Sequence, residues 1–64
     1  RRLEPVPVAD GVVHVKIGSR HGEIVTVAPE FEDCRAIAER SGRPVREIMA
    51  EATRSWHEQR RGPD

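Results

Sequence analysis

The sequence predicts an α+β domain, a three-stranded antiparallel meander followed by two helices packed on one face. Three observations carry that prediction. Apolar and polar residues alternate up to Val27 and then recur at spacings of three and four, with the change of period at Ala28 and Pro29. Glycine-bearing turns separate the alternating segments. The chain has 64 residues, room for one domain and only a small core, so help from a partner surface is expected.

Each element follows in order. LEPVPV, residues 3–8, holds Pro5 and Pro7, which cannot donate to a ladder, so it fits an edge strand or an extended arm with Val6 and Val8 turned to the core. Asp10-Gly11 supplies a hairpin turn. In VVHVKI, Val13, Val15 and Ile17 alternate with His14 and Lys16, the pattern of a strand with one buried side. Residues 18–22, GSRHG, form a second turn before EIVTVA, a third strand rich in β-formers.

Pro29 suits the first turn of a helix, where its missing N–H is no loss, and Glu30, Glu32 and Asp33 complement the helix dipole. Phe31, Cys34, Ile37 and Ala38 then form one apolar stripe. Gly42 reads as a C-cap and Pro44 as the start of a second helix, with Val45, Met49, Ala52 and Trp56 inward and Ile48 beside them. The domain is expected over residues 1–58. From Gln59 onward, residues 59–64 lack any apolar anchor and read as a disordered tail.

Composition narrows the function. Eleven basic and 11 acidic residues cancel, so no global field draws the chain to nucleic acid or to an anionic membrane. The lone Cys34 precludes an internal disulfide framework, which favours a cytoplasmic location. No apolar run is long enough to span a bilayer, and RRLEPVPVAD lacks the apolar centre of a signal peptide. A start at Arg1 suggests a domain excised from something longer. Glycine-rich phosphate loops, CxxC pairs, HExxH and nucleophile elbows are all missing, and no residue is assigned a catalytic role.

Three groups of side chains could still carry chemistry. Glu30 and Asp33, three apart, are a workable pair for a hard divalent cation such as Mg²⁺ or Mn²⁺, whereas Glu32 points elsewhere on a helix turning ~100° per residue. The ordinary alternative is dipole complementation at a helix start. Lys16, Arg20 and Arg35 could serve an anion, with Lys16 and Arg35 converging near the helix N-terminus, or they are plain surface charge. Cys34 with His14, His21 and His57 could ligate nickel or zinc, but Cys34 falls on the apolar stripe as a small core residue would. Phe31 and Trp56 both fit helical core positions and leave no stacking platform for bases.

VKIGSRHGEIVTVAPEFEDC, residues 15–34, followed by AIAERSGRPVREIMAEA, resembles the C-terminal region of LarC-type nickel insertion proteins, with APEFEDC as the specific part. The resemblance covers residues 11–53. It implies a share in a CTP- and Mg²⁺- or Mn²⁺-dependent cyclometallase, a lyase that inserts nickel into a pyridinium bisthiocarboxylate mononucleotide to mature the nickel-pincer cofactor of lactate racemase. Lys16, Glu30, Glu32, Asp33, Cys34 and Arg35 match the family signature, and Phe31 stands where tyrosine is usual. The resemblance also implies that nickel is handled by the full-length protein, that a nucleotide and the rest of the protein are partners, and that this piece is not a complete enzyme; the balanced charge, alternating strands and thin core suit a module that assembles subunits, and a cyclic homo-oligomer is expected. Two other readings stand beside it. One is a helix-turn-helix around SGRP, against which Glu47 and Glu51 on the second helix argue. The other is a purely structural interaction domain.

Overall fold

The computed structural model describes residues 1–61. Strands β1 (Arg2–Val8), β2 (Gly11–Arg20) and β3 (Glu23–Pro29) form an antiparallel sheet in the order β1-β2-β3, followed by helices α1 (Phe31–Ser41) and α2 (Val45–Arg61). This is the expected α+β meander with two helices on one face. Val6, Val13, Val15 and Ile17 from the sheet meet Cys34 and Ile37 of α1 and Ile48, Ala52 and Trp56 of α2 in one core. Val13 and Val15 have no exposed surface and Ile17 only 1%. Alternation alone dictates which side of β2 is inward, since successive side chains point to opposite faces.

Both hairpins are tighter than the sequence suggests. Val8 pairs with Gly11, so the first loop is Ala9-Asp10 and the glycine is already in β2. Gly11 has φ 153° and lies under Arg40, where a Cβ would come within 2.8 Å of that guanidinium. Arg20 pairs with Glu23, which leaves His21-Gly22 as the second loop. Both loop residues have positive φ, 53° and 82°, the mirror-image turn whose twist matches that of paired strands. Gly18, Ser19 and Arg20 therefore belong to β2 and not to the turn.

A register shift between Gly18 and Ser19 leaves Val25 as the extra residue on β3: Ser19 faces Ile24 and Gly18 faces Thr26. The bulge puts Ile24 and Val27, three apart, both against the core and leaves Val25 60% exposed. Gly18 is needed there, because a Cβ would meet Thr26 Oγ1 at 2.4 Å.

The change from strand to helix comes two residues later than expected. Pro29 still pairs with Val15, and the Glu30 N–H donates to the His14 carbonyl at 2.8 Å, so the ladder consumes Glu30 before α1 begins at Phe31. Phe31 is consequently 51% exposed and not part of the core stripe. Helical side chains tilt towards the N-terminus, and at the first helical position that carries the ring past the end of the core. Gly42 closes α1 as expected, with φ 79° and its N–H donating to the Ala38 carbonyl at 2.9 Å. Along α2, Ile48 is at the centre of the buried face with Ala52 and Trp56, while Val45 and Met49 flank it half-buried.

Gln59, Arg60 and Arg61, which the sequence assigns to a tail, are helical. The Arg60 guanidinium lies 4.9 Å from the Trp56 ring centroid, a cation–π contact that gives the last turn a hold that counting apolar residues misses. The other expected tail residues, 62–64, lie outside the described residues.

Polar contacts fasten the first hairpin to the helices. The Ala9 N–H donates to Glu51 Oε2 at 2.7 Å, Arg43 Nη1 bridges Asp10 Oδ2 at 2.8 Å and Glu51 Oε1 at 2.9 Å, and Arg40 Nη2 donates to the Asp10 carbonyl at 2.9 Å. The Ala9 amide, then Arg43, hold the Glu51 carboxyl below its usual pKa, and Asp10 and Glu51 raise that of Arg43. At the other end of β1, Trp56 Nε1 donates to Glu4 Oε1 at 2.8 Å.

Because α2 touches all three strands and Ile48 is fully buried at its centre, Ile48→Ala is expected to cost about 2–5 kcal/mol. In a domain this small that is a large part of the stability, and urea unfolding followed by circular dichroism measures it.

Candidate functional site

The candidate residues meet where β2 passes the junction of β3 and α1. His14 and Lys16 lie on the side of β2 away from the core, and the junction delivers Glu30 and Asp33 to them. Lys16 Nζ is 3.4 Å from Glu30 Oε1. Asp33 Oδ2 accepts from the His14 N–H at 2.8 Å and lies 3.0 Å from His14 Nδ1. An ionised carboxylate only accepts, so in this contact Nδ1 is the donor.

The geometry explains why aspartate follows three residues after Glu30. At the last rung of the β2–β3 ladder, Glu30 supplies the N–H for the His14 carbonyl, but its own carbonyl turns into α1 to accept from Cys34 N–H at 3.3 Å. The His14 N–H would be left without a ladder acceptor, and the Asp33 carboxylate takes that place. The hydrogen bond from the His14 amide depresses the Asp33 pKa most; burial, next in size, opposes it, and the hydrogen bond from the ring adds to the depression. Next to it, Cys34 points inward; burial first and the Asp33 charge second push its thiol pKa up, so it is an inert core group and not a thiolate ligand.

The other sequence candidates are dispersed. Arg35 pairs with Glu32 at 2.9 Å and Glu39 at 3.4 Å along the outside of α1, and not with Lys16. Arg20 lies at the far end of β2, four residues and about 13 Å along the strand from Lys16. His21 is in the second hairpin loop and His57 stands edge-on to Trp56 with centroids 5.0 Å apart, so Cys34 and the three histidines do not form a set. Among the described residues no three His, Cys, Asp or Glu side chains converge as metal ligands, and no cleft or cavity forms. A hard dication takes six or more oxygens. Glu30 and Asp33, each already held by a basic partner, do not fit a self-contained Mg²⁺ or Mn²⁺ site.

The sequence does not signal the His14–Asp33 pair, because 19 positions separate the two and only the strand-to-helix junction brings them together. It does place Lys16 and Glu30 correctly on the outer side of the sheet and at the helix start. α2 lies across all three strands on its Ile48, Ala52 and Trp56 side, and its outward side carries Glu47 beside Arg46 and Arg54.

The sequence description of the family "Nickel insertion protein" matches residues 1–49. The chain belongs to the nickel insertion protein family. A protein of Gloeobacter violaceus named for nickel insertion is 40% identical over 60 residues, 94% of this chain and 14% of that protein. A pyridinium-3,5-bisthiocarboxylic acid mononucleotide nickel insertion protein of Thermotoga sp. is 37% identical over 60 residues, 94% of this chain and 15% of that protein. A Myxococcus xanthus protein named for nickel insertion reaches 52% over 42 residues, 66% of this chain and 11% of its own length. The chain thus spans 11–15% of the length of these relatives. No solved structure matches. None of the helices among the described residues is long and apolar enough to cross a membrane.

The Asp33 contact makes a pH prediction. A depressed folded pKa means that this carboxylate's stabilisation is complete above the ordinary aspartate range, near pH 4, and is lost as pH falls through the folded value. Asp33→Asn should therefore melt below wild type at pH 6–7, and the difference should shrink steadily towards pH 2; a gap independent of pH would mean that the charge is not what holds His14.

Proposed function

We propose that this chain is a C-terminal module of a CTP-dependent nickel insertion protein, a cyclometallase that matures the nickel-pincer nucleotide of lactate racemase, and that it supplies one wall of the nucleotide site within a homo-oligomeric assembly in the cytoplasm. The observation that carries this reading is the position of Lys16 at the open start of α1. Its ammonium is 3.4 Å from Glu30, the N-cap residue, whose side chain makes no capping hydrogen bond. The first helical bond is made by Cys34, so the N–H groups of Phe31, Glu32 and Asp33 have no acceptor in the described fold. Free amides beside an ammonium suit a phosphate.

Exchange of partners is the chemistry available here. A triphosphate arriving at Lys16 competes with Glu30 for the ammonium and frees that carboxylate for a cation brought in with the nucleotide. Asp33, committed to His14, holds the junction in place rather than binding the cation. Most cation ligands must then come from the nucleotide and from the rest of the protein, as the missing third ligand requires. Nickel, the cargo, is handled by the full-length protein. Arg20 and Arg35 are too far apart, or too engaged with Glu32 and Glu39, to form this wall.

The competing reading is a module that only assembles, and the lack of any cleft among the described residues favours it. Calorimetric titration of the chain with CTP, with and without Mn²⁺, decides between the two. Saturable binding that requires Mn²⁺ and falls about 10- to 100-fold in Lys16→Ala, the range for losing one charged hydrogen bond, supports the nucleotide wall. No heat from a chain shown to be folded reduces it to an assembly module.

A further inference from the structure

Phe31 is the aromatic ring that the fold leaves in solvent. The chain has one tryptophan and one phenylalanine, and they fare differently: Trp56 is 3% exposed within the core, whereas Phe31 is 51% exposed and packs on no part of it. Among the described residues, the aromatic pair and the cation–π contact both belong to Trp56. Arg35, one turn after Phe31, is taken by Glu32 and Glu39. The Phe31 ring therefore has no stacking partner among the described residues.

A single exposed apolar side chain is ordinary on a protein surface. The location of this one is not. Phe31 follows Glu30, whose carboxylate is 3.4 Å from Lys16 Nζ, and consecutive Cα atoms are only about 3.8 Å apart. As the first residue of α1, Phe31 has a side chain that tilts back towards the helix start, the end where Lys16 and Glu30 meet. A flat apolar face beside an ammonium group suits a ligand with negative charge at one end and an aromatic ring at the other.

We propose that Phe31 is the stacking platform for the planar ring of a nucleotide whose phosphate reaches Lys16. This role rests on the nucleotide wall at Lys16 and adds to it the residue that tells a nucleotide from a bare polyphosphate. A heteroaromatic ring stacks on an exposed phenylalanine whatever its hydrogen-bonding pattern, because every such ring has a π-face. A ring that carries positive charge, as a pyridinium does, also gains the attraction of a cation for the negative face of Phe31. Two rings have this chemistry: the base of CTP, and the pyridinium of a mononucleotide of the kind for which the Thermotoga sp. relative is named.

Calorimetry with Mn²⁺ tests it, with CTP, nicotinic acid mononucleotide and inorganic tripolyphosphate titrated into wild type, Phe31→Leu and Phe31→Tyr. Half of the side chain is already in solvent, so both variants are expected to keep the fold, which circular dichroism verifies. Stacking is worth about 10-fold in affinity or more. Phe31→Leu should lose that factor for a ring-bearing ligand, Phe31→Tyr should keep it, and tripolyphosphate should bind all the proteins alike. Loss confined to CTP identifies the base as the stacked ring, and loss confined to the mononucleotide identifies the pyridinium. Equal affinity of wild type and Phe31→Leu for both ring-bearing ligands overturns the stacking role and leaves phosphate binding at Lys16 intact. An equal loss for tripolyphosphate also overturns it, since that ligand has no ring. A folded wild-type chain that binds none of the ligands overturns the nucleotide wall and this role with it.

Discussion

Strand β2 is the member on which everything else is built. It pairs on both edges, and its Val13, Val15 and Ile17 are buried under the helices. Fully burying such a side chain is worth about 1.5–3 kcal/mol, and slipping the strand by one residue would turn all three to water. With that side committed, His14 and Lys16 have to face outward, and the sheet has one covered and one open side. α2 completes the arrangement from above: Ile48, Ala52 and Trp56 recur every fourth residue, so a single helix face spans the three strands.

The APEFEDC stretch has a physical reading at nearly every position. Pro29 ends the paired part of β3, and Glu30 contributes the last ladder hydrogen bond and an ion pair with Lys16. Asp33 stands in for the strand that is no longer there, and Cys34 fills a site in the core with no exposed surface. Leaving the sheet at this point removes the ladder acceptor of the His14 amide, and the Asp33 carboxylate supplies a charged one in its place. Phe31, whose ring faces solvent, is the position the fold does not use, while Glu32, also facing solvent, pairs with Arg35. That division separates residues that shape the junction from those free to meet something else.

A domain this small needs its loops pinned, and the Ala9-Asp10 turn is pinned from two helices at once. Arg43 and Glu51 tie the turn to the start of α2, and Arg40 ties it to the end of α1. The result is a two-layer plate, 15 Å in its thinnest dimension, with no cavity among the described residues. Such a plate presents surfaces, which suits a segment that makes up 11–15% of its relatives.

The sequence by itself determined the class and order of elements, because alternation and 3.6-residue periodicity are local signals: Val13, Val15, Ile17, Cys34 and Ile37 are core residues in both readings. It also determined the Gly42 cap and the outward placement of Lys16. Hairpin loop lengths, the bulge at Val25 and the exposure of Phe31 were decided by the tertiary structure, since each depends on how far the β2–β3 ladder runs before a competing hydrogen bond ends it. The same holds for the candidate site. Single charged residues were legible, but their pairing was not: Lys16 meets Glu30 and His14 meets Asp33 only because β3 returns beside β2 and turns into α1, a contact between distant positions that no local spacing encodes.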